Sequence, residues 1–427
     1  MRHVVLSAVF ALATLTTTHA KNWPNWMGPN YDGVSPATKL LTDWTPEKNT
    51  IWKTALPGRA ASTPVLWDDT IVLTSPDGDK NAVLGFDMNG KELWRTHVGN
   101  ERKGKNKKAT GCNPSPVTDG KHVFVYFKSG DVACLDFKGK IVWQTNLQEK
   151  YGKDTLWWDL ATSPVVSKDS VIIAVMQAGP SYVVAFNKES GEVNWKIDRT
   201  YNPIPKENDQ AYTTPTIIEE DGKEVMVLWG ADHITAYDVA DKGKLLWTCA
   251  GMNPDGKAYK RAIASGVIHD GHMVIPFDRA SRIAGLKIGG SGDITEKAHL
   301  WMTKTAAKSQ EVPQSSDVPT PCAKDGLAYI LSDFGKIACM KVSDGTVVWN
   351  GTLGKGREKF SGSPTIVGDK LVAVRDSGEF YVLQLGGDSF NMVSQSHIGE
   401  GLISRPIFLD NKILARTDGN LILLGNK

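Results

Sequence analysis

The stretch Phe86-Asp87-Met88-Asn89-Gly90-Lys91-Glu92-Leu93-Trp94 contains the spacing that decides the fold, a glycine followed four residues later by a tryptophan. The same spacing recurs along the chain at Gly139/Trp143, Gly191/Trp195, Gly243/Trp247 and Gly345/Trp349. Trp52 lies one period before the first pair, and Trp301 lies between the last two. A period of about 50 residues indicates a repeat protein in which each repeat is one supersecondary unit.

A second marker, Ser or Thr followed by Pro, runs out of phase with the first. It stands at Thr63-Pro64, Ser115-Pro116, Ser163-Pro164, Thr214-Pro215, Thr320-Pro321 and Ser363-Pro364, with degenerate copies at Ser265-Gly266 and Arg405-Pro406. Each copy opens an inner strand. Proline is tolerated at that position because the inner edge faces a central channel and no ladder donor is lost. The markers together predict eight units.

The first unit predicts a four-stranded antiparallel sheet with strands at 64–67, 71–74, 82–86 and 91–96. Asp68-Asp69 reads as the first turn. Asn89-Gly90 reads as a type I′ hairpin turn, which this dipeptide favours. The tryptophan of the outer strand is expected to bury its ring against the neighbouring unit.

The eighth unit, which begins at Pro406, ends after three strands, and residues 50–54 provide a matching orphan strand. We therefore predict an all-β, eight-bladed β-propeller of four-stranded antiparallel blades, closed by the N-terminal strand. Closure removes the edges that the alternative, an open stack, would expose. The fifth unit departs most from the pattern, because Gly266 replaces proline and no glycine precedes Trp301 at the usual spacing.

The motifs Phe86-Asp87-x-x-Gly90-x-x-x-Trp94 and Leu135-Asp136-x-x-Gly139-x-x-x-Trp143 resemble the tryptophan-docking motif of the pyrroloquinoline-quinone-like (PQQ-like) propeller repeats. The likeness extends from Trp52 to the C-terminus. Residues 22–33 also resemble the start of exported bacterial propellers of this type. The resemblance implies the fold more than a function, because the family holds quinoprotein dehydrogenases and a lipoprotein scaffold of the outer-membrane assembly machinery.

The N-terminus reads as a secretory signal peptide. Met1-Arg2-His3 is basic, residues 4–15 are apolar, and Thr18-His19-Ala20 fits a cleavage site after Ala20. We predict a signal peptide over 1–20, an N-terminal extension over 21–49 and the propeller over 50–427. No cysteine lies near the cleavage site, so no lipid anchor is expected. No other stretch is apolar enough for a transmembrane segment, and the product is expected to be periplasmic or secreted.

The formal net charge of +2 does not point to a polyanionic partner. The basic run over residues 102–108 is interpreted as a solvated loop, with contact to phosphate, sulfated glycan or lipid headgroups as the alternative. Export and the lack of a nucleic-acid motif predict no nucleic-acid partner.

The cysteine and histidine patterns predict no metal site. None of the five cysteines forms a C-x-x-C pair. Cys134 and Cys339 occupy equivalent third-strand positions in different units, so they are expected to be small buried core residues. His269-Asp270-Gly271-His272 is interpreted as a tight turn, with a metal pair as the alternative.

The candidate ligand site lies where loops of several blades converge at one end of the channel, here called the loop face. Its predicted residues are Trp158, Asp159, Tyr212, Asp278, Arg279 and Arg405. Trp158 would stack on a ligand, Asp278 would accept hydrogen bonds or hold a cation, and Arg405 would pair with an anionic group. The alternative is that these residues only tie loops together.

Two functional classes follow. The first, which we favour, is a non-catalytic binding module or scaffold in the cell envelope. It would be a monomer without a cofactor, and it would bind an envelope protein or a small polar or sugar-like ligand. The second is a dehydrogenase that uses PQQ and calcium to oxidise an alcohol or sugar. The resemblance implies for such enzymes an adjacent cysteine pair, which this chain lacks, and a tryptophan floor, for which Trp229 or Trp158 would serve.

Overall fold

A computed structural model describes residues 22–106, 108–201, 206–277, 279, 281–304, 315–355 and 359–426. These residues form eight antiparallel blades of four strands each, named a to d from the channel outwards, as predicted. Three short helices, Pro46–Asn49, Leu147–Tyr151 and Thr295–Ala298, lie between strands. Within the part of the chain described, no helix is long and apolar enough to cross a membrane. The predicted signal peptide lies outside the described residues.

Each blade is built from strands a, b, c and d in that order. Blade 1 consists of Val65–Trp67, Thr70–Asp77, Lys80–Asp87 and Glu92–Asn100, and blade 2 of Val117–Thr118, His122–Tyr126, Asp131–Asp136 and Ile141–Asn146. Blade 3 consists of Val165–Val166, Ser170–Val175, Tyr182–Asn187 and Val193–Asp198, and blade 4 of Thr216–Glu220, Lys223–Gly230, His233–Asp238 and Lys244–Cys249. Blade 5 consists of Val267–His269, His272–Phe277, Arg282–Lys287 and His299–Met302, and blade 6 of Cys322–Lys324, Leu327–Leu331, Lys336–Lys341 and Val347–Thr352. Blade 7 consists of Thr365–Val367, Lys370–Val374, Glu379–Gln384 and Met392–His397, and blade 8 of Ile407–Leu409, Lys412–Arg416, Asn420–Gly425 and Thr50–Ala55.

The ring closes as the sequence predicts. Strand d of blade 8 is Thr50–Ala55, which pairs antiparallel with Asn420–Gly425 and aligns Trp52 with Leu423. Blade 8 is therefore built from one N-terminal strand and three C-terminal strands, which joins the last blade to the start of the ring. Closure removes the edges that an open array would expose to pairing with other chains.

The repeated tryptophans form a belt between the blades. We call the set Trp52, Trp94, Trp143, Trp195, Trp247, Trp301 and Trp349 the tryptophan belt. The indole N–H groups of five members donate to backbone carbonyls of the next blade at 2.8 to 3.2 Å. The motif glycines lie under the rings: a Cβ at Gly139 would stand 2.6 Å from the Trp94 ring. The predicted docking on the neighbouring blade is confirmed for these five rings.

The predicted type I′ turn at Asn89-Gly90 is wrong. Gly90 has a positive φ of 78°, but Asn89 does not, and a type I′ turn requires both. The Asp87 carboxylate instead accepts the N–H groups of Asn89 and Lys91 at 2.9 Å, which leaves a single left-handed position for the glycine. At 269–272 the expected turn is confirmed, because Asp270 and Gly271 both have positive φ.

Blade 5 owes its irregular sequence to an insertion before its outer strand. Gly292–Asp293 pairs parallel with strand d of blade 4 and aligns Gly292 with Trp247. The chain then passes through the helix Thr295–Ala298 and enters His299–Met302. The glycine that usually precedes the belt tryptophan is absent at this point because this detour replaces the tight turn.

The segment 22–45 crosses the channel instead of lying along the surface. Trp23 pairs with Leu66 of blade 1, and Val34–Ser35 pairs parallel with Thr365–Val367 of blade 7. The Asp32 carbonyl accepts the N–H of Ala323 in blade 6 at 3.0 Å. Trp23 is fully buried. This segment, here called the plug, closes the channel at the end that holds the turns between strands a and b.

All five cysteines are buried and unpaired. Cys134 lies on strand c of blade 2, and Cys339 lies on strand c of blade 6. Their expected role as small core residues is confirmed. Burial raises the pKa of each thiol, so neither is poised to react as a thiolate at neutral pH.

Candidate functional site

A cavity of about 970 Å³ occupies the channel above the plug and opens at the loop face. The starts of strands a and the loops between strands b and c line it, and Trp26 of the plug lies at its inner end. We call this cavity the funnel. The prediction that these two kinds of segment share one face around the channel is confirmed, because residues of both kinds line the funnel.

A ring of hydroxyl groups surrounds the funnel. Its members, here called the hydroxyl ring, are Thr63, Ser115, Ser163, Thr214, Ser265, Thr320 and Ser363. Each N–H from Thr63 to Thr320 donates to the hydroxyl oxygen of the next member at 2.9 or 3.0 Å. The second sequence marker thus couples neighbouring blades on the inside, as tryptophan does on the outside, a role that the sequence did not reveal.

Arg405 takes the eighth position of that ring. Its backbone N–H donates to the Thr63 hydroxyl at 3.3 Å, and its guanidinium donates to the carbonyls of Ser363 and Pro364 at 3.3 and 2.8 Å. The side chain is 2% exposed and lies 5.7 Å from the Trp26 ring centroid. Burial lowers the pKa of Arg405 to about 10. The guanidinium therefore bridges blades 7 and 8 within the funnel wall.

Asp159 is buried and holds the basic run 102–108 in place. Its carboxylate accepts the N–H groups of Lys105 and Asn106 at 2.8 to 3.0 Å and pairs with the Lys128 ammonium. Burial alone would raise the pKa of Asp159, but Lys128 and the two N–H donors outweigh it and hold the pKa below its usual value. Asp159 thus shapes the funnel mouth through the loop that it anchors.

The basic run is exposed to solvent at Arg102, Lys103, Lys105 and Asn106, as predicted for a solvated loop, but several of its side chains also bond to other loops. Arg102 pairs with Asp154, and the Lys105 ammonium donates to the Leu156 carbonyl at 2.8 Å. Lys108 reaches blade 7 and pairs with Asp376. The run therefore links loops on different sides of the funnel.

Trp158 and Tyr212 support one another at the mouth. The Trp158 backbone N–H donates to the Tyr212 hydroxyl at 3.1 Å, and the indole N–H donates to Glu207 at 3.3 Å. Arg261 lies 5.6 Å from the Trp158 ring centroid and pairs with Glu207 at 2.8 Å. Tyr212 is buried, whereas Trp158 remains 43% exposed.

Arg279 is exposed and lines the funnel in the left-handed region, with φ 52°. Its predicted neighbour Asp278 lies outside the described residues. The structure thus brings Trp158, Asp159, Tyr212, Arg279 and Arg405 around one cavity, although Asp159, Tyr212 and Arg405 are buried in its wall. That these residues bind a ligand remains a prediction.

Large apolar side chains are exposed on the loop face of blades 3 to 6. We call Trp157, Trp158, Tyr259, Val318 and Phe334 the aromatic rim; their exposed fractions run from 37% to 54%. Lys206 lies 4.9 Å from the Tyr259 ring centroid, and Lys359 lies 5.4 Å from that of Phe334. Sequence reasoning missed the pairs of Tyr259 with Lys206 and of Phe334 with Lys359, because each cation comes from a different loop than its ring and no local spacing connects them.

Three acidic groups at the funnel have cationic partners, whereas the buried Asp333 carboxylate accepts the Asp317 N–H at 2.7 Å. Asp159 pairs with Lys128, Asp376 with Lys108, and Glu207 with Arg261. Among the residues with described positions, no group of three or more His, Cys, Asp or Glu side chains could hold a metal ion. The mouth therefore combines three neutralised acids with exposed rings and cations.

Fold and repeat motifs define the class of protein as an eight-bladed propeller of PQQ-like repeats. The sequence model of a family described as outer membrane protein assembly factor BamB matches residues 37–216 and 293–388, which is more than half of the chain. The chain belongs to this family.

A relative from Bordetella pertussis, described as outer membrane protein assembly factor BamB, is 22% identical over 367 residues, which cover 84% of this chain and 82% of the relative. The crystal structure of BamB from Moraxella catarrhalis matches with a TM-score of 0.60 at 13% identity, over 88% of this chain and 99% of that one. A europium-containing methanol dehydrogenase matches with a TM-score of 0.69 at 12% identity, over 96% and 98%. Structural likenesses at such identities show the fold alone.

Proposed function

We propose that this protein is a non-catalytic binding module of the cell envelope that docks another protein on its loop face. The aromatic rim carries the proposal. Trp157 and Phe334 are 49% and 54% exposed, and exposed aromatic side chains of this size on one face mark interaction sites. The rim lies along the side of the mouth that blades 3 to 6 form, and buried anchors such as Asp159 fix the shape of this mouth, so the surface is preformed for a partner.

The electrostatics of the funnel support binding over redox catalysis. A calcium ion needs several free carboxylate or carbonyl oxygens, but Asp159, Asp376 and Glu207 are each engaged by a cation. The sequence has no adjacent cysteine pair to cover a quinone. Trp229, one of the two tryptophans that could lie under a quinone ring, is 3% exposed, and its indole N–H donates to the Ala264 carbonyl at 3.0 Å. These observations support binding over a reaction that depends on PQQ and calcium.

The envelope location rests on two supports. The first is the predicted signal peptide, and the second is the family, whose described member acts as an outer membrane protein assembly factor. A scaffold of that kind needs accessible surface and a rigid frame, and a closed propeller supplies both.

The test is site-specific photo-crosslinking in cells of the native host. A photoreactive phenylalanine analogue is placed at Phe334 on the rim and, as a control of equal exposure, at Leu93 on the outer strand of blade 1. These side chains are 54% and 50% exposed. We expect a discrete protein adduct from position 334 and none from position 93. Adducts from position 93 alone would overturn the loop-face assignment.

A companion measurement separates binding from catalysis. Purified protein is titrated with PQQ and calcium and assayed for dye-linked oxidation of alcohols and sugars. We expect neither a shift in quinone absorbance nor turnover. Saturable quinone binding with turnover would replace the proposed function by that of a dehydrogenase.

A further inference from the structure

We propose that the loop face recognises an acidic segment of its partner, in which carboxylates alternate with large apolar side chains. This inference rests on the proposed function and specifies the chemistry of the docking partner. The binding surface would consist of the aromatic rim and the cations Lys206, Arg279 and Lys359.

At the mouth, three cations have no ion-pair partner in the described part of the chain, whereas two nearby carboxylates do, and the fold does not require this difference. Lys206, Arg279 and Lys359 are exposed, and none of them forms an ion pair with a carboxylate among the described residues. The carboxylates of Asp159 and Asp376, in contrast, are already paired. An arriving acidic group would therefore meet available cations while these two resident carboxylates are neutralised, which favours encounter and register.

Two of these cations are coupled to exposed rings. The Lys206 ammonium donates to the Tyr259 hydroxyl at 2.9 Å and lies 4.9 Å from the ring centroid. Lys359 lies 5.4 Å from the Phe334 centroid. Each pair presents an apolar surface beside a positive charge. A segment that alternates acidic and apolar side chains would satisfy both parts of each pair at once, whereas an apolar segment would bury the ammonium groups without compensation.

The arrangement fits a peptide better than a polyanion such as nucleic acid or a sulfated glycan. Polyanions are held by continuous tracks of cations. The run 102–108 has that composition, but Arg102 and Lys108 pair with Asp154 and Asp376. The exposed cations are instead separated by apolar side chains such as Val318, which is 37% exposed.

The experiment pans a library of random peptides displayed on phage against the intact protein. We expect the enriched sequences to combine Asp or Glu with large apolar residues and to lack Lys and Arg. The double variant Phe334→Ser/Lys359→Gln should lose this enrichment. The matched control Lys91→Gln/Leu93→Ser, which also removes one exposed lysine and one exposed apolar residue, should retain it.

An enriched peptide is then measured by fluorescence anisotropy. Replacing its acidic residues by amides, or Lys359 by Gln, should weaken binding about tenfold, whereas Lys359→Arg should be nearly neutral. Neutral or basic enriched sequences, no enrichment, or binding retained by the double variant would each overturn the inference. So would heparin binding unaffected by Phe334→Ser, which would assign the mouth to polyanions. Adducts from position 334 in cells would still support the proposed function, so the two failures are distinguishable.

Discussion

The tryptophan belt and the hydroxyl ring couple the same blades at different radii, and they do so by different physics. The belt buries large aromatic rings, as at Trp143 with 9% exposure, so its contribution scales with apolar area. The hydroxyl ring contributes one hydrogen bond per interface, as from the Ser115 N–H to the Ser163 hydroxyl at 2.9 Å. A net hydrogen bond is worth about 1 kcal/mol. The outer contact thus supplies most of the cohesion, and the inner one fixes the shape of the funnel.

Both sets are interrupted at blade 8. Strand d of blade 7, Met392–His397, has no tryptophan to dock on blade 8, and Arg405 replaces a hydroxyl on the inside. Charged and non-repeating residues compensate there. Arg416 of blade 8 is 1% exposed and donates to the Thr74 carbonyl of blade 1 at 2.6 Å. The repeat pattern therefore fails between blades 7 and 8, whereas Trp52 still docks on blade 1 across the closure.

Deleting residues 22–54 should have the largest effect, because it removes the plug, the closing strand and Trp52 together. We expect a loss of more than about 5 kcal/mol in the free energy of unfolding, seen as a collapse of the melting temperature by circular dichroism. Deleting only 22–45 should cost less, because Thr50–Ala55 still closes blade 8. An unchanged melting temperature for the longer deletion would refute the closure.

Trp143→Ala should leave a cavity between blades 2 and 3 and cost about 3–5 kcal/mol. Trp23→Ala should cost about as much, since the Trp23 ring is fully buried although it lies outside the repeat. Chemical denaturation of both variants checks this. A small loss at Trp23 would show that the plug contributes little to stability.

These two tryptophans show what the sequence could predict. Trp143 belongs to a periodic motif, so its position between blades followed from spacing alone. Trp23 belongs to no repeated motif. The plug that contains it contacts strands of blades 1, 6 and 7, which are far away in the chain. Its burial could therefore not be predicted from spacing. Repetition gave the eight blades and their closure, but long-range contacts made only once left no sequence signal.

The site was predicted in part for the same reason. Convergence of loops at one face placed Trp158, Tyr212 and Arg405 around one funnel, as expected from the topology. Whether each side chain pointed to solvent or into the wall depended on unrepeated partners, such as Lys128 for Asp159. Lys359 and Phe334 come from different loops, so no spacing in the sequence indicates that the two side chains are in contact.

Arg405→Ala should cost about 2–3 kcal/mol, because it leaves the carbonyls of Ser363 and Pro364 without a donor in a buried wall. An arginine that only paired with an anionic ligand, the role suggested by the sequence, would have nearly no effect on stability. Arg279→Ala is the matched control: it also lines the funnel but is exposed, and it should change stability by less than about 0.5 kcal/mol. Equal melting temperatures for the two variants would contradict the bridging role of Arg405.

The smallest effect is expected at the hydroxyl ring, and it separates the ring from the belt most cleanly. Ser163→Ala removes the acceptor of the Ser115 N–H while leaving the Ser163 N–H bonded to Thr214 at 3.0 Å. The cost should be about 1 kcal/mol, because one buried donor loses its partner. Ser163→Thr keeps the hydroxyl, and threonine already occupies Thr63, Thr214 and Thr320 in the same ring, so this control should melt like the wild type. If both variants lose the same stability, the ring acts through packing and not through its hydrogen bonds. A loss at Ser163→Ala as large as that at Trp143→Ala would reverse the ranking of inner and outer contacts.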